Sequence, residues 1–482
     1  MGGSATTRTK AVEELQRILT RRLHYGMLAQ PSRPIYKQCP DENPPSNPIL
    51  SAALPLDDPV AATCMPESWV RASMLVRLNS LASGASGVRV STVNTLKQLL
   101  QHDVIPRVPT RGSISASGDL SPLSYTSGVM RGKPTLTAWA GSRAMGQRQV
   151  IRADIALAEA NINPVRLGAK EGLAIVNGTA ISAGVAALAM HEAHCQAVLS
   201  QILTAMSVEA LCGTDESFDA FFAKVRPHPG QKESGRNIHA FLTRSKLVHR
   251  SDGSAEASLR QDRYSIRTAS QWIGPVLEDL LLAHQQVIIE VSSVTDNPLV
   301  DPDEGRMLHG GNFQAKAVTS AMEKVRQGCQ TLGRMLSVQC TELTNPMTNR
   351  GLPPNLVVEE PSESYIWKGT DIMVAALQSE LGFLANPVGT HVQTAEMGNQ
   401  ALNSLALISA RYALDALCIL TQISAIHLIA LCQALDLRAM NIIFLERFRS
   451  NFSLITRDTF EGLTADGECL NKCETSLWEA FT

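Results

Sequence analysis

The chain has almost no net charge, with 43 Lys and Arg against 45 Asp and Glu leaving −2 over 482 residues. Such a balance provides no basic footprint for nucleic acid or an anionic lipid surface, so a small-molecule substrate fits the composition better. Met1 to Lys10 contain no apolar run that could serve as a signal peptide, which also removes the glycosylation reading of Asn177-Gly178-Thr179. The ten cysteines are scattered, and the closest pair, Cys469 and Cys473, lacks a second pair at zinc-site spacing. They read as reduced, packed thiols of a cytoplasmic protein, and no metal is expected. No repeat, low-complexity tract or Gly/Ser/Pro linker divides the middle, which predicts one large body. The most apolar stretch, Ala416 to Leu435, contains Gln422, His427 and Gln433. These are costly in lipid and acceptable in a hydrogen-bonded core, so the stretch reads as a buried helix and no membrane is expected as a partner.

Ala-Ser-Gly occurs three times, at Ala82-Ser83-Gly84, Ala85-Ser86-Gly87 and Ala116-Ser117-Gly118. The triplet has a specific latent chemistry. If the Gly118 amide nitrogen attacks the Ala116 carbonyl and two waters leave, the product is a 4-methylidene-imidazol-5-one whose exocyclic carbon, from Ser117, is a strong electrophile. Glycine suits the attack because it has no Cβ and tolerates unusual dihedrals. Alone, such a triplet is an ordinary small-residue loop. The tandem pair from Ala82 to Gly87 reads that way, as small residues inside a helix-like stretch that signal close packing.

Helical periodicity covers Trp69 to His102, Gly172 to Leu211, Ala269 to Val294, Asn312 to Leu343, Trp367 to Leu384 and Asn399 to Leu437, which predicts an all-α protein. Pro and Gly cluster between these segments, and every motif that carries chemistry falls in or beside such a break. The expected organisation is a smaller, loop-rich cofactor-bearing region over 1–165, a long central helical bundle over 166–447 and a short tail over 448–482. Helices apolar on several sides need neighbours all round, which favours a bundle shared between subunits.

The segment Gly112-Ser113-Ile114-Ser115-Ala116-Ser117-Gly118-Asp119-Leu120-Ser121-Pro122-Leu123 resembles the cofactor segment of the aromatic amino acid ammonia-lyases, the histidine and phenylalanine ammonia-lyase superfamily. The likeness runs from Gly2 to about Arg447. Its details, Arg226-Pro227-His228-Pro229-Gly230-Gln231 among them, are similar to the fungal phenylalanine branch. The resemblance implies an Ala116-Ser117-Gly118 electrophile with no metal or dissociable cofactor, and a homotetramer whose active sites each draw on three chains. Lys170-Glu171-Gly172-Leu173-Ala174-Ile175-Val176-Asn177-Gly178-Thr179 is similar to the family's K-E-G-L-A-x-x-N-G-T, which assigns Asn177 to contact with the ring. Gln261-Asp262-Arg263-Tyr264-Ser265-Ile266-Arg267 places Gln261, Tyr264 and Arg267 at i, i+3 and i+6, near one face of a turn-to-helix segment. By resemblance Arg267 takes the substrate carboxylate in a bidentate pair, and Gln261 and Tyr264 join the surrounding hydrogen-bond network.

Further matches assign Asn297 to the inner polar network, Phe313 to the ring-binding wall, Lys368 to substrate binding, and Glu396, Asn399 and Gln400 to the amine end. Gly398 and Ser292 stand where the family often has His and Asn. Arg22-Leu23 aligns with the pair that reads the aromatic ring; Arg22 either meets a polar substituent or packs its stem while its head reaches water. The activity implied is conversion of L-phenylalanine to trans-cinnamate and ammonia. Alternatives are an aromatic 2,3-aminomutase and a catalytically impaired homologue with a binding or assembly role. The family's base is a Tyr in an inner loop Y-G-x-x-T-G-F-G-G. Gly2 to Thr9 resembles the residues that follow it, and no tyrosine in this sequence is assignable to that position. The expectation is a start upstream of Met1 and an extended C-terminal part, with poor turnover by the 482-residue chain as written, because loss of a positioned base costs roughly 10²- to 10⁴-fold. The G-S-S-x-M-P-x-K-x-N loop of the fumarase and argininosuccinate-lyase relatives is absent.

Overall fold

The computed structural model describes residues 11–24, 63–142, 145–249, 261–359, 367–460, 471–472 and 474–478. Its helices in order are α1 Val12–Arg22, α2 Glu67–Ala82, α3 Val90–Gln101, α4 Leu120–Met130, α5 Ala153–Glu159, α6 Glu171–Val176 and α7 Ala180–Ala210. They continue as α8 Ala220–Val225, α9 Pro229–Leu242, α10 Tyr264–Arg267, α11 Ala269–Ser292, α12 Lys316–Thr344, α13 Thr370–Leu384 and α14 Ala406–Phe460. The fold is helical, as the periodicity predicts. Among the described residues strand is confined to an antiparallel sheet of β1 Ile105–Pro106, β2 Thr137–Ala140 and β3 Gln149–Arg152, and a hairpin of β4 Leu299–Asp301 and β5 Arg306–Leu308.

Two compact units are each gathered from separate stretches of chain. The first comprises Met1–Cys195, Glu278–Cys329 and Gly382–Cys418, and the second Gln196–Leu277, Gln330–Leu381 and Ile419–Thr482. In the first unit α4 lies against α6 and α1. Every α4 residue from Ser121 to Met130 is buried, although the sequence Ser-Pro-Leu-Ser-Tyr-Thr-Ser-Gly is only weakly apolar. Small hydroxyl side chains can occupy such a helix because they bond to carbonyls within their own turn, as Ser124 Oγ does to Ser121 O at 2.6 Å. His24, just beyond α1, meets Ser124 O through Nε2 at 2.8 Å, and its ring lies 4.9 Å from that of Tyr125. This anchors the end of α1 on α4.

Two predicted helices are broken. Trp69 to His102 divides at Ser83–Arg89, where Gly84 and Gly87 take φ of +89° and +64°. The tandem triplets therefore form a helix-terminating turn and not a helix interior, the conformation glycine provides at such ends. Gly172 to Leu211 divides at Asn177–Thr179, where Gly178 has φ +156°. At the other end, α14 continues past Arg447 to Phe460, with the rings of Phe444, Phe448 and Phe452 at 5.3 and 6.1 Å along one face.

In the second unit several buried polar groups pair between helices. His427, fully buried on α14, meets Ser207 Oγ at 2.9 Å, and burial holds its pKa down at about 3, so it is neutral. Gln339 bonds Thr204, and Gln196 bonds Thr421 and Ser424. By length and composition α14 is apolar enough to cross a membrane, and half of its most apolar window is buried in the protein.

Glu171 fastens the start of α6. Only 2% exposed, it accepts bonds from the Arg89 backbone N at 2.9 Å, Arg89 Nε at 3.0 Å, Thr92 Oγ1 at 2.9 Å and Gly168 N at 2.6 Å, and pairs with Arg89 Nη2 at 2.6 Å. Burial alone raises its pKa, but these donors outweigh it and bring the carboxyl down to about 2. Because the folded value lies below the ordinary one, the stabilisation is present above about pH 4.5 and is lost as pH falls toward 2. Glu171→Gln should therefore cost about 2 kcal/mol at neutral pH. In urea unfolding followed across pH, the gap between the two proteins should close below pH 4.5.

Candidate active site

The third Ala-Ser-Gly lies between Ser115, at φ +49°, and the N-terminus of α4. Gly118 adopts φ +68°, and a Cβ placed on it would lie within 3 Å of the carbonyl carbon, oxygen and Cα of Gly178. The two glycines form a parallel bridge, and Asp119 N donates to Gly178 O at 2.8 Å. Glycine at both positions is thus a matter of space. The tandem triplets differ: no atom lies within 4 Å of a Cβ on Gly84, and a Cβ on Gly87 would meet only the Val300 side chain.

Asp119 organises the loop from beneath. Fully buried, it accepts Ser115 Oγ at 2.8 Å, Ser113 Oγ at 3.1 Å and Ser182 N at 2.8 Å. Burial pushes its pKa up, and these donors oppose the shift. Ser115 is held from a second side, its carbonyl accepting Ser404 Oγ at 2.9 Å and its hydroxyl accepting Leu407 N at 3.2 Å. The sequence around the triplet is therefore a set of fasteners for its backbone.

Two amide side chains converge on Ser117. Asn177 Nδ2 donates to the Ser117 carbonyl at 3.0 Å, and Gln400 Nε2 donates to the Ser117 hydroxyl at 3.1 Å. Gln400 is presented by a tight turn in which Ala395 and Gln400 exchange backbone bonds and Glu396 and Met397 take φ of +51° and +52°. Asn399 Nδ2 bonds Glu396 Oε2 at 3.0 Å in the same turn. A cavity of about 420 Å³ opens here, lined by Leu23, Ser117, Glu396 and Gln400. It is large enough for a small aromatic molecule. The Arg22 side chain lies outside the described residues, as do Gly2 to Thr9.

Several expected residues lie elsewhere in the chain, some in the first unit and some in the second. Asn297 is half-buried, and its Oδ1 accepts Gly310 N at 2.8 Å, which ties the entry to β4 to the exit from β5. Phe313 is half-buried in the same unit. Gln261, Tyr264, Arg267 and Lys368 belong to the second unit. There Asp262 accepts Thr214 N at 2.8 Å and pairs with Arg350 at 2.9 Å, while Arg263 and Ser265 bind Glu342. These anchors leave Gln261 exposed in the approach to α10 and Tyr264 69% exposed, with the Arg267 guanidinium 5.0 Å from the Tyr264 ring centre. Among the described residues no carboxylate pairs with Arg267.

A buried charge layer under the loop escapes sequence reasoning. Lys170 Nζ pairs with Asp296 Oδ2 at 2.7 Å and donates to Ser86 O at 2.7 Å, tying the tandem triplets to α6. Glu290 Oε1 accepts Thr179 Oγ1 at 2.6 Å, and burial raises its pKa. Arg77 is fully buried with its pKa held down at about 10 by burial, so it is charged at neutral pH. Arg77 and Glu290 read as ordinary helix charges in sequence and Lys170 and Asp296 as loop charges; only contacts more than 80 residues long reveal their place.

The Ala-Ser-Gly loop fits the methylidene-imidazolone. Gly118 has the left-handed backbone and close glycine contact that the fold-back needs, while donors already address the Ser117 carbonyl and hydroxyl. The family model described as aromatic amino acid lyase matches residues 1–452, and the chain belongs to that family. It is 47% identical to phenylalanine ammonia-lyase 2 of Pleurotus ostreatus over 99% of this chain and 63% of that protein. It is 46% identical to a phenylalanine aminomutase (L-beta-phenylalanine forming) of Talaromyces islandicus over 92% of this chain and 60% of that protein. The crystal structure of phenylalanine ammonia-lyase from the yeast Rhodosporidium toruloides superposes with a TM-score of 0.88 at 42% identity, covering 98% of this chain and 69% of that one. The chain spans about three-fifths of the length of the curated relatives it matches.

Gly118→Ala tests the loop directly. A Cβ would collide with Gly178 and strain a positive φ, at a cost of at least ~2 kcal/mol. The same change at Gly84, where the Cβ meets open space, should cost only about 1 kcal/mol, from φ alone. Thermal unfolding of the pair checks the difference.

Proposed function

We propose that the chain is the subunit of an aromatic amino acid ammonia-lyase that converts L-phenylalanine to trans-cinnamate and ammonia. The observation that carries this reading is the convergence of Asn177 and Gln400 on Ser117, at 3.0 and 3.1 Å, above a cavity of about 420 Å³. When formed from Ala116, Ser117 and Gly118, the 4-methylidene-imidazol-5-one supplies an electrophilic carbon that makes the substrate amine a better leaving group. No metal or dissociable cofactor enters the proposal.

The surrounding residues have distinct tasks in this reading. Asn177 holds the Ser117 carbonyl and fixes the orientation of the loop. Gln400 addresses the Ser117 side chain, and Glu396, oriented by Asn399, faces the amine end. Leu23 and Phe313 offer apolar surface to the substrate ring, while Arg22, Asn297 and Lys368 complete the binding groups. Arg267 takes the carboxylate as a bidentate partner, and Gln261 and Tyr264 extend its hydrogen-bond network. The β-hydrogen needs a base. The family likeness gives that task to an inner-loop Tyr whose neighbours would be Gly2 to Thr9, outside the described residues.

A cytoplasmic homotetramer with shared sites completes the proposal. It is supported by an apolar stripe on α11, where Leu281 and Ile288 repeat at i+7, as do Leu282 and Ile289, each 45–65% exposed. A second copy of the chain is the occupant this reading commits to. Ile289→Asp should shift the protein from tetramer to smaller species in light scattering; an unchanged mass would remove this stripe from the interface.

The experiment on the activity compares wild-type and Ser117→Ala proteins for absorbance in the imidazolone band and for products from phenylalanine, tyrosine and histidine. The expected result is a band and cinnamate release in the wild type, with loss of the band and an on the order of 10³-fold fall in turnover in the variant. The aminomutase relative favours a second reading, in which β-phenylalanine accumulates. A wild type yielding no cinnamate, coumarate, urocanate or β-amino acid would overturn the enzyme reading and favour a binding or assembly role.

A further inference from the structure

We propose that Arg77 is a positioning residue for formation of the electrophile; the inference rests on the reading of Ala116-Ser117-Gly118 given above. Arg77 lies on α2, about 40 residues upstream of the loop, and its side chain is wholly buried. Its Nη2 donates to Asn177 O at 2.9 Å and to Ala174 O, the last carbonyls of α6 and its cap. Nη1 lies within 3 Å of where a Cβ on Gly178 would be, so the guanidinium fills the space beside Gly178 on one side. From the other side the Gly178 backbone presses on Gly118. The order is thus guanidinium, Gly178, Gly118, with Asn177 reaching across to the Ser117 carbonyl and Gly178 O accepting Asp119 N.

This stack bears on a step whose atoms balance without an oxidant. The Gly118 nitrogen bonds to the Ala116 carbonyl carbon, and the carbonyl oxygen leaves as water with the hydrogens of the Gly118 and Ser117 nitrogens. The Ser117 hydroxyl leaves as a second water with the Ser117 α-hydrogen. Bond formation requires the Gly118 nitrogen to be held back against Ala116, a near-attack geometry that relaxes if the Asn177-Gly178 peptide moves away. Arg77 blocks that movement.

A packing role alone explains Arg77 poorly. Its Nε and Nη1 have no hydrogen-bond acceptor among the described residues, and Asp296, the charge that favours its ionised form, is already paired with Lys170. Burying a cation with so few partners is unfavourable, and an apolar side chain of similar length would serve a core better. What the guanidinium does that an apolar chain cannot is hold two carbonyls at once while filling the space beside Gly178.

The test compares wild type, Ser117→Ala, Arg77→Met, Arg77→Lys and the core control Leu99→Ala, a fully buried residue of α3. Intact mass reads the fraction of chains short by two waters, absorbance reads the ring, and thermal unfolding reads the fold. Arg77→Met and Arg77→Lys should fold yet show at least a tenfold slower loss of the two waters after synthesis or refolding. Leu99→Ala should be less stable and fully dehydrated. Dehydration at the wild-type rate in either folded Arg77 variant, dehydration in Leu99→Ala that slows in step with its stability, or loss of the fold in both Arg77 variants would overturn the proposal. A wild-type chain of undiminished mass would instead sink the reading of the triplet itself.

Discussion

The close approach of two glycine backbones, Gly118 and Gly178, is the constraint around which the first unit is arranged. Neither position has room for a Cβ, and both adopt backbone angles that side chains resist. The contact is enforced by the breaks on either side: the loop that ends at α4 and the interruption between α6 and α7. Helices α4, α6 and α1 supply the rigid packing that makes the approach reproducible. Chemistry on a loop then has the precision of chemistry on a scaffold.

Charge is placed under this contact in an unusual density for a chain whose net charge is −2. Asp119, Glu290, Asp296, Lys170 and Arg77 are each buried or nearly so; Asp119 is tied to hydroxyls of the loop, Glu290 and Arg77 to the Asn177-Gly178-Thr179 turn, and Lys170 to Asp296 and the Ser86 carbonyl. Burial raises the pKa of both Asp119 and Glu290, and Asp119 further disfavours ionisation of Glu290. Such a layer stores little stability, because desolvation cancels much of the pairing. Its effect is directional: every charge selects one backbone arrangement above it.

The helices were legible in the sequence because their apolar periodicity is local, and all six predicted segments return with ends shifted or a break inserted. The cofactor loop was legible through its neighbours Asp119 to Leu123, which proved to be the loop's own anchor and the start of α4. Asn177 and Gln400 were reached by likeness to the family, and they meet at Ser117 across 60 and 283 residues of chain. The break at Ser83–Arg89 was missed because glycine in an apolar run reads equally as a packing contact or a terminator; the positive φ of Gly84 and Gly87 decides for the latter. Arg77 was missed for a deeper reason. An arginine between apolar helix positions has the pattern of a solvated face, and nothing in α2 itself reveals the peptide it supports 100 residues away.

The central claim is that surroundings, not the triplet, make Ala116-Ser117-Gly118 an electrophile. Tryptic digestion separates the two contexts within one molecule, because Leu78–Arg89 contains both tandem triplets and Gly112–Arg131 contains the third. Mass spectrometry of the wild-type digest should find Gly112–Arg131 short by two waters, with fragment ions confining the loss to Ala116–Gly118, and Leu78–Arg89 at full mass. Full mass for both peptides, or a loss of water from Leu78–Arg89, would contradict it.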